Sequence, residues 1–383
     1  RGLIKGRYPL MSQVGTVVFY VSGHGFGHAS RQIEIINALT ALQPDTSVVI
    51  RTNAPRWLFD RALTRPCKFA VLEPDTGVIQ VDSLHVNASA TIARAWDFHR
   101  TLEHKACDEA RLLDEHGTAL VVGDIPPLAF AAAKAAGVPG IGIGNFTWDW
   151  IYDHYGDLVA TTPDLLPRLR AAYSLGDMAL RLPMAAGFET FRRVVDVPLV
   201  ARHSRQPRNH TRAELGLPID CPLVLVSFGR YGLEAIDWLQ VGKLRDIGVV
   251  VTDDPVDGGA TAARPSTPNV YQLNIPAITK QGIRYEDIVA SVDVVLSKPG
   301  YGIIAECAAN DTALLYTSRG AFAEYQVLVD TMPAFVRCEY IEQDELFSGT
   351  WSSALQKLLD QPTAPPARTD GAEVVARRLA SYL

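Results

Sequence analysis

The run Ser297-Lys298-Pro299-Gly300-Tyr301-Gly302-Ile303-Ile304-Ala305-Glu306 has the residue types to hold a phosphorylated sugar. It follows the apolar segment 292–296, so a buried strand is expected to end at Ser297. Gly300 and Gly302 keep the turn free of Cβ groups, and a helix is expected from near Ile303. Unpaired N–H groups and the positive dipole end at a helix start suit a diphosphate. Glu306, about one turn further on, is placed for the vicinal hydroxyls of a ribose. The alternative is an ordinary glycine-bounded strand-to-helix turn, which needs the same residues.

A second constellation, Ser22-Gly23-His24-Gly25-Phe26-Gly27-His28-Ala29-Ser30-Arg31, follows the first apolar run. It echoes the dinucleotide fingerprint G-x-G-x-x-G, but His28 occupies the third glycine position. The next strand ends Arg51-Thr52-Asn53, with no acid to hold an adenosine ribose. A nicotinamide or flavin site is therefore not expected. At a helix mouth above a sheet, a neutral His28 imidazole can accept the proton of an attacking hydroxyl. The alternative role for His24 and His28 is to bond loop carbonyls or cap the helix. Two imidazoles without a third ligand at recognisable spacing give no metal site.

Three further loops follow expected strands. Ser227-Phe228-Gly229-Arg230 is small enough for backbone amides to approach phosphate oxygens, with Arg230 adding charge, and is otherwise a tight turn with a surface arginine. Glu324 and Gln326 open a helix after Thr317-Ser318-Arg319-Gly320 and suit the hydroxyls of a hexose, although a carboxylate there also simply complements the helix dipole. Asp124 and the segment Asn145-Phe146-Thr147-Trp148-Asp149 combine carboxylates with aromatic rings, as sugar binding requires. Asp124 as a helix cap and Trp148 as core are the competing readings.

These loops need elements to carry them. Strands are expected at 16–22, 47–52, 68–72, 119–123, 138–144, 178–182 and 194–199, with helices at 29–42, 55–63 and 126–136 and a long amphipathic region at 91–116. The scheme restarts with strands at 222–229, 247–252, 270–274, 292–297 and 312–316, and a last helix falls at 371–383. Such alternation means two doubly wound α/β domains, each a parallel sheet covered on both faces, with ligands at the C-terminal strand ends facing a central cleft. The expected divisions are an extension or tag remnant at 1–10, a first domain at 11–200, a polar linker at 201–218, a second domain at 219–365 and a C-terminal helix at 366–383.

The 383 residues suit two domains, and 48% hydrophobic content fills both cores. A net charge of −6 with scattered Lys and Arg argues against a nucleic-acid partner. Five cysteines without a CxxC pair form neither a disulfide framework nor a zinc site. There is no apolar run of membrane-spanning length and no signal peptide before Met11, so a soluble, cytoplasmic protein is expected.

Together, Ser297-Lys298-Pro299-Gly300-Tyr301-Gly302 with Glu306, the Ser227-Phe228-Gly229 turn and the glycine-rich loop ending in His28 resemble the GT-B nucleotide-sugar glycosyltransferases, among them the bacterial UDP-GlcNAc transferase of lipid II synthesis. The blocks 23–31 and 145–149 look like the glycosyltransferase-like N-terminal region of plant L-arabinokinases. The resemblance implies inverting, metal-independent transfer from a UDP-sugar co-substrate to a hydroxyl-bearing acceptor, with no other cofactor. By that pattern, Ser227, Gly229, Arg230, Lys298, Gly300, Tyr301, Gly302 and Glu306 hold the nucleotide. Gly27, Glu324 and Gln326 face the donor sugar, and His28 is the base. His24, Phe26, Asp124, Asn145, Trp148 and Asp149 meet the acceptor in the first domain. A non-catalytic nucleotide-sugar-binding module and a UDP-sugar 2-epimerase are the alternatives. Release of UDP dependent on an acceptor separates the transferase from both.

Overall fold

The computed structural model describes residues 15–82, 84–228, 236–253 and 267–383. Among these, the first sheet contains β1 (Thr16–Val21), β2 (Ser47–Thr52), β3 (Lys68–Val71), β4 (Thr118–Asp124), β5 (Gly140–Gly144), β6 (Met178–Arg181) and β7 (Val194–Asp196). Their spatial order is β3-β2-β1-β4-β5-β6-β7. The second sheet contains β8 (Leu223–Val226), β9 (Gly248–Asp253), β10 (Val270–Asn274), β11 (Val294–Ser297), β12 (Ala313–Tyr316) and β13 (Cys338–Tyr340), in the order β10-β9-β8-β11-β12-β13. Neighbouring strands pair in parallel in both sheets. The fold is thus two Rossmann-like α/β domains. In each sheet the order reverses beside the first strand, between β1 and β4 and between β8 and β11, where open α/β sheets present ligand crevices.

Burial on both faces explains the continuous apolar strands: Val17, Val18, Phe19, Tyr20 and Val21 of β1 are all inaccessible to solvent. The Gly27–Leu42 helix covers one face with Ala29, Ile33, Ile36 and Leu39, spaced at three and four residues. The expected amphipathic region at 91–116 is two helices, Ala88–His99 and Leu102–Glu115, the first capped by the Asn87 side chain accepting from Ala90 N–H at 3.0 Å. Within 201–218, read as linker, Arg208–Glu214 is helical. Arg212 of that helix is buried and donates to Ser291 O at 2.6 Å and to Asp293 Oδ2 at 2.8 Å, so its polar composition serves docking onto the second domain. Strand β13, a short run of partly exposed residues, was not anticipated. No helix among the described residues is long and apolar enough to cross a membrane.

The chain returns to the first domain at its end. Leu199 N–H donates to Arg368 O at 3.2 Å, and Gly371 N–H donates to Leu199 O at 3.0 Å, so the two crossings between domains lie side by side. The Gly371–Ala380 helix then packs on the Gly27–Leu42 helix through Ala372, Val375, Ala376 and Leu379. A Cβ at Gly371 would stand 2.3 Å from Pro198 O and 2.6 Å from Leu199 O, both backbone atoms with little freedom to move. Gly371→Ala is expected to lower stability by about 1–3 kcal/mol, as overpacking does, read from urea unfolding.

Candidate active site

A cavity of about 1090 Å³ lies between the two domains at the C-terminal ends of β1, β8 and β11. From the first domain, its wall includes His24, Phe26, Gly27, His28, Asn145 and Trp148. From the second come Ser227, Lys298, Gly300, Tyr301, Gly302, Glu306 and Glu324. Gly229 and Arg230 lie outside the described residues.

Three expected contacts are placed elsewhere. Asp124 is fully buried beneath His28 and does not reach the cavity wall, because its carboxylate is engaged by side chains of the Gly27–Leu42 helix. Asp149 turns away to pair with Arg170 at 3.2 Å. Gln326 points along its own helix and donates to Asp330 at 2.6 Å. Spacing in sequence put these residues near strand ends, but the partners that packing brings to each decided which way they point.

Helical spacing builds the first-domain half of the site. His28, Arg31 and Gln32, at i, i+3 and i+4, share one face of their helix and converge on Asp124 at the end of β4. Arg31 donates from Nε to Asp124 Oδ2 at 2.6 Å and from Nη2 to Oδ1 at 2.5 Å, while Gln32 Nε2 donates to Oδ2 at 2.8 Å. His28 Nδ1 stands 2.8 Å from Asp124 Oδ1. Burial alone would raise the Asp124 pKa, but the charge and hydrogen bonds of Arg31, with the hydrogen bond to His28, outweigh it and hold the group below the usual carboxylate range. An ionised carboxylate only accepts, so Nδ1 carries the hydrogen. The lone pair is left on Nε2, away from Asp124. The nearby Arg31 Nη2, 3.0 Å from Nδ1, donates to the carboxylate instead. An imidazole held in this way has the geometry of an anion-oriented base.

Asp75, in the loop after β3, was missed by sequence reasoning because Glu73-Pro74-Asp75 carries no motif. It is buried on the cavity wall and accepts from Ser22 Oγ at 2.9 Å and from Trp148 Nε1 at 2.8 Å. Burial pushes its pKa up to about 6, against the opposing pull of His28 and those two donors. His24 is driven down to about 3 by burial and by the charges of His28, Arg319 and Lys298, so it stays neutral in ordinary buffers. Its ring stands 5.6 Å from that of Trp148 in edge contact.

In the second domain the helix runs from Tyr301 to Ala309, two residues earlier than expected, so Gly302 lies inside it. The first helical bond is Ile304 N–H to Gly300 O at 3.1 Å, which leaves the preceding amides free of intrahelical partners. Among the described residues, and chain neighbours and the helix's own backbone apart, no atom lies within 4 Å of a Cβ placed on Gly300, and one on Gly302 meets Gly27 Cα at 3.8 Å from across the cleft. These glycines open space for a ligand. Lys298 is lowered to about 7 by burial and by the repulsion of Arg319. Arg319 donates to Glu324 Oε1 at 2.9 Å.

Glu306 faces the cavity with Arg202, from between the domains, donating to it from Nε at 2.6 Å. Burial raises the Glu306 pKa, and Arg202 offsets part of that rise. Arg202 also stacks over Tyr285 at 5.4 Å, whose hydroxyl is 2.5 Å from Ser227 Oγ. Arg202 belongs to no motif and sits in the stretch read as linker. Among the described residues no group of three or more His, Cys, Asp or Glu is arranged to hold a metal ion.

These two domains and the cavity between them define the GT-B glycosyltransferase fold. Solved structures sharing it include the glycosyltransferase of kitacinnamycin, with TM-score 0.60 and 16% identity over 97% of this chain and 96% of that one. SnogD from Streptomyces nogalater matches at TM-score 0.58 and 17% identity, over 97% and 100%. A UDP-glucosyltransferase from Polygonum tinctorium matches at 0.59 and 13%, over 97% and 99%. In sequence, the chain is similar to the L-arabinokinase of Arabidopsis thaliana, 29% identical over 372 residues, which is 94% of this chain and 34% of that protein. The chain thus spans about a third of that relative's length. No protein-family model matches it.

Proposed function

We propose that this protein transfers a sugar from a UDP-sugar to a hydroxyl of an acceptor, with inversion at the anomeric carbon and His28 as general base. The observation that carries this reading is the oriented His28–Asp124 pair facing, across one cavity, the free amides at the start of the Tyr301–Ala309 helix. The acceptor hydroxyl gives its proton to His28 Nε2 as its oxygen bonds to the anomeric carbon. The bond from that carbon to the diphosphate breaks, and UDP departs with the electron pair. Helix amides and the Lys298 side chain take up the growing charge, so the step is written without a divalent metal. A solved relative of the same fold was crystallised with dTDP, which makes dTDP-sugars the control donors.

The test is UDP release from a panel of UDP-sugars with and without hydroxyl acceptors, in EDTA, with the anomeric configuration of the product read by NMR. Acceptor-dependent release giving the inverted anomer supports the proposal. Release without any acceptor product, a new sugar nucleotide, or a retained anomer overturns it.

The ribose contact makes a separate prediction. Glu306→Ala is expected to weaken UDP binding by about 1.5–3 kcal/mol, the worth of a charged hydrogen bond. Calorimetric titration of UDP checks this, and unchanged affinity would remove Glu306 from the nucleotide site.

A further inference from the structure

Arg31 reaches both halves of the site. Its Nε and Nη2 hold Asp124, and its Nη1 donates to Asn145 Oδ1 at 2.7 Å. The guanidinium carbon also lies 5.3 Å from the centre of the Tyr301 ring, which belongs to the other domain. Tyr301 opens the helix whose free amides face the cavity, and its hydroxyl accepts from Val200 N–H at 3.0 Å, on the chain crossing between domains. Arg31 and Tyr301 are both buried. One aromatic ring therefore touches the residue that orients the base, the start of the anion-binding helix and the crossing strand.

We infer that Tyr301 is a positioning residue: its ring, through Arg31, holds Asp124 and His28 in register with the helix start of the second domain. The physical basis is the attraction of a desolvated guanidinium to a π face, added to a bidentate carboxylate pair whose geometry Lys cannot reproduce. Without the ring, the guanidinium loses its contact with the second domain, and Asp124 loses part of the hold on its positive partner. His28 Nδ1 then loses the fixed acceptor that holds its hydrogen. The titratable and charged groups facing His28 are His24 from the loop after β1, Arg31 from its own helix, Asp75 from the loop after β3 and Asp124 from β4.

This inference rests on the proposed base role for its catalytic consequence, but its test does not need turnover. The side-chain nitrogens of His28 are followed by NMR in the full chain, assigned by their loss in His28→Gln. With the hydrogen held on Nδ1 by Asp124 and the lone pair on Nε2, the two shifts stand far apart. In Tyr301→Leu they are expected to draw together, as Asp124 loses register and the tautomers mix. Tyr301→Phe keeps the ring and gives up the bond to Val200, so its shifts stay at the wild-type positions. Equal separations in wild type and Tyr301→Leu, with circular dichroism showing both folded, would overturn the inference. So would a change in Tyr301→Phe as large as in Tyr301→Leu.

If the wild type turns over UDP-sugar, a cycle with Arg31→Lys adds a kinetic check. Tyr301→Leu costs about tenfold in kcat alone and little in the Arg31→Lys background, because the ring acts through Arg31. Additive losses would contradict it. Absence of turnover in the wild type counts against the transferase reading and leaves the NMR result standing.

Discussion

His28→Ala lowers kcat by about 10²–10⁴-fold, the usual contribution of a general base, while UDP still binds with near wild-type affinity. The separation is expected because His28 meets Asp124 within the first domain, whereas the residues proposed to hold the diphosphate and ribose lie in or beside the second. Steady-state kinetics with saturating acceptor, paired with UDP titration by calorimetry, gives both quantities. Rate loss below threefold would remove His28 as the base. Rate loss matched by loss of UDP affinity would make it a binding residue instead.

Asp124→Asn should be nearly as damaging to turnover, by about 10²–10⁴-fold, since changing a base-orienting carboxylate to an amide lowers kcat about 10⁴-fold in a Ser-His-Asp triad. An amide donates where the carboxylate accepted, which favours the His28 tautomer with its hydrogen on Nε2 and no lone pair toward the acceptor. The same change leaves the buried Arg31 without its anion, a situation that costs about 3–5 kcal/mol of stability. Its pH signature has a definite sign. Asp124 is held below its ordinary value in the folded state, so its stabilisation is complete above roughly pH 4 and fades as pH falls through the lowered folded value. Urea midpoints measured from pH 7 downward should therefore fall for the wild type, with the Asp124 share of that fall missing in Asp124→Asn. Identical acid limbs would show that Asp124 is not ionised against Arg31.

Much of the architecture was legible because strands buried on both faces read as continuous apolar runs, and their alternation with helical stretches leaves few arrangements. The cavity position of Lys298, Gly300, Tyr301 and Glu306 followed from one turn after one strand. Arg31 was within reach of the same reasoning, since His28, Arg31 and Gln32 recur at helical spacing. Asp75 and Arg202 were not, because each sits in a loop without periodicity and gains its partners from segments about 50 to 100 residues away.

The order of residues by itself determined most of the strands and which small, charged or imidazole side chains follow them, since hydrophobic period and glycine placement are local properties. Tertiary structure alone decided what those side chains face. Asp124 turned from the cavity to become the partner of His28, Gln326 and Asp149 turned to neighbours of their own, and Tyr301 crossed to Arg31. The reason is physical: a buried charge takes whichever partner the packing of two sheets brings within hydrogen-bond reach, and that distance is not written in any one segment.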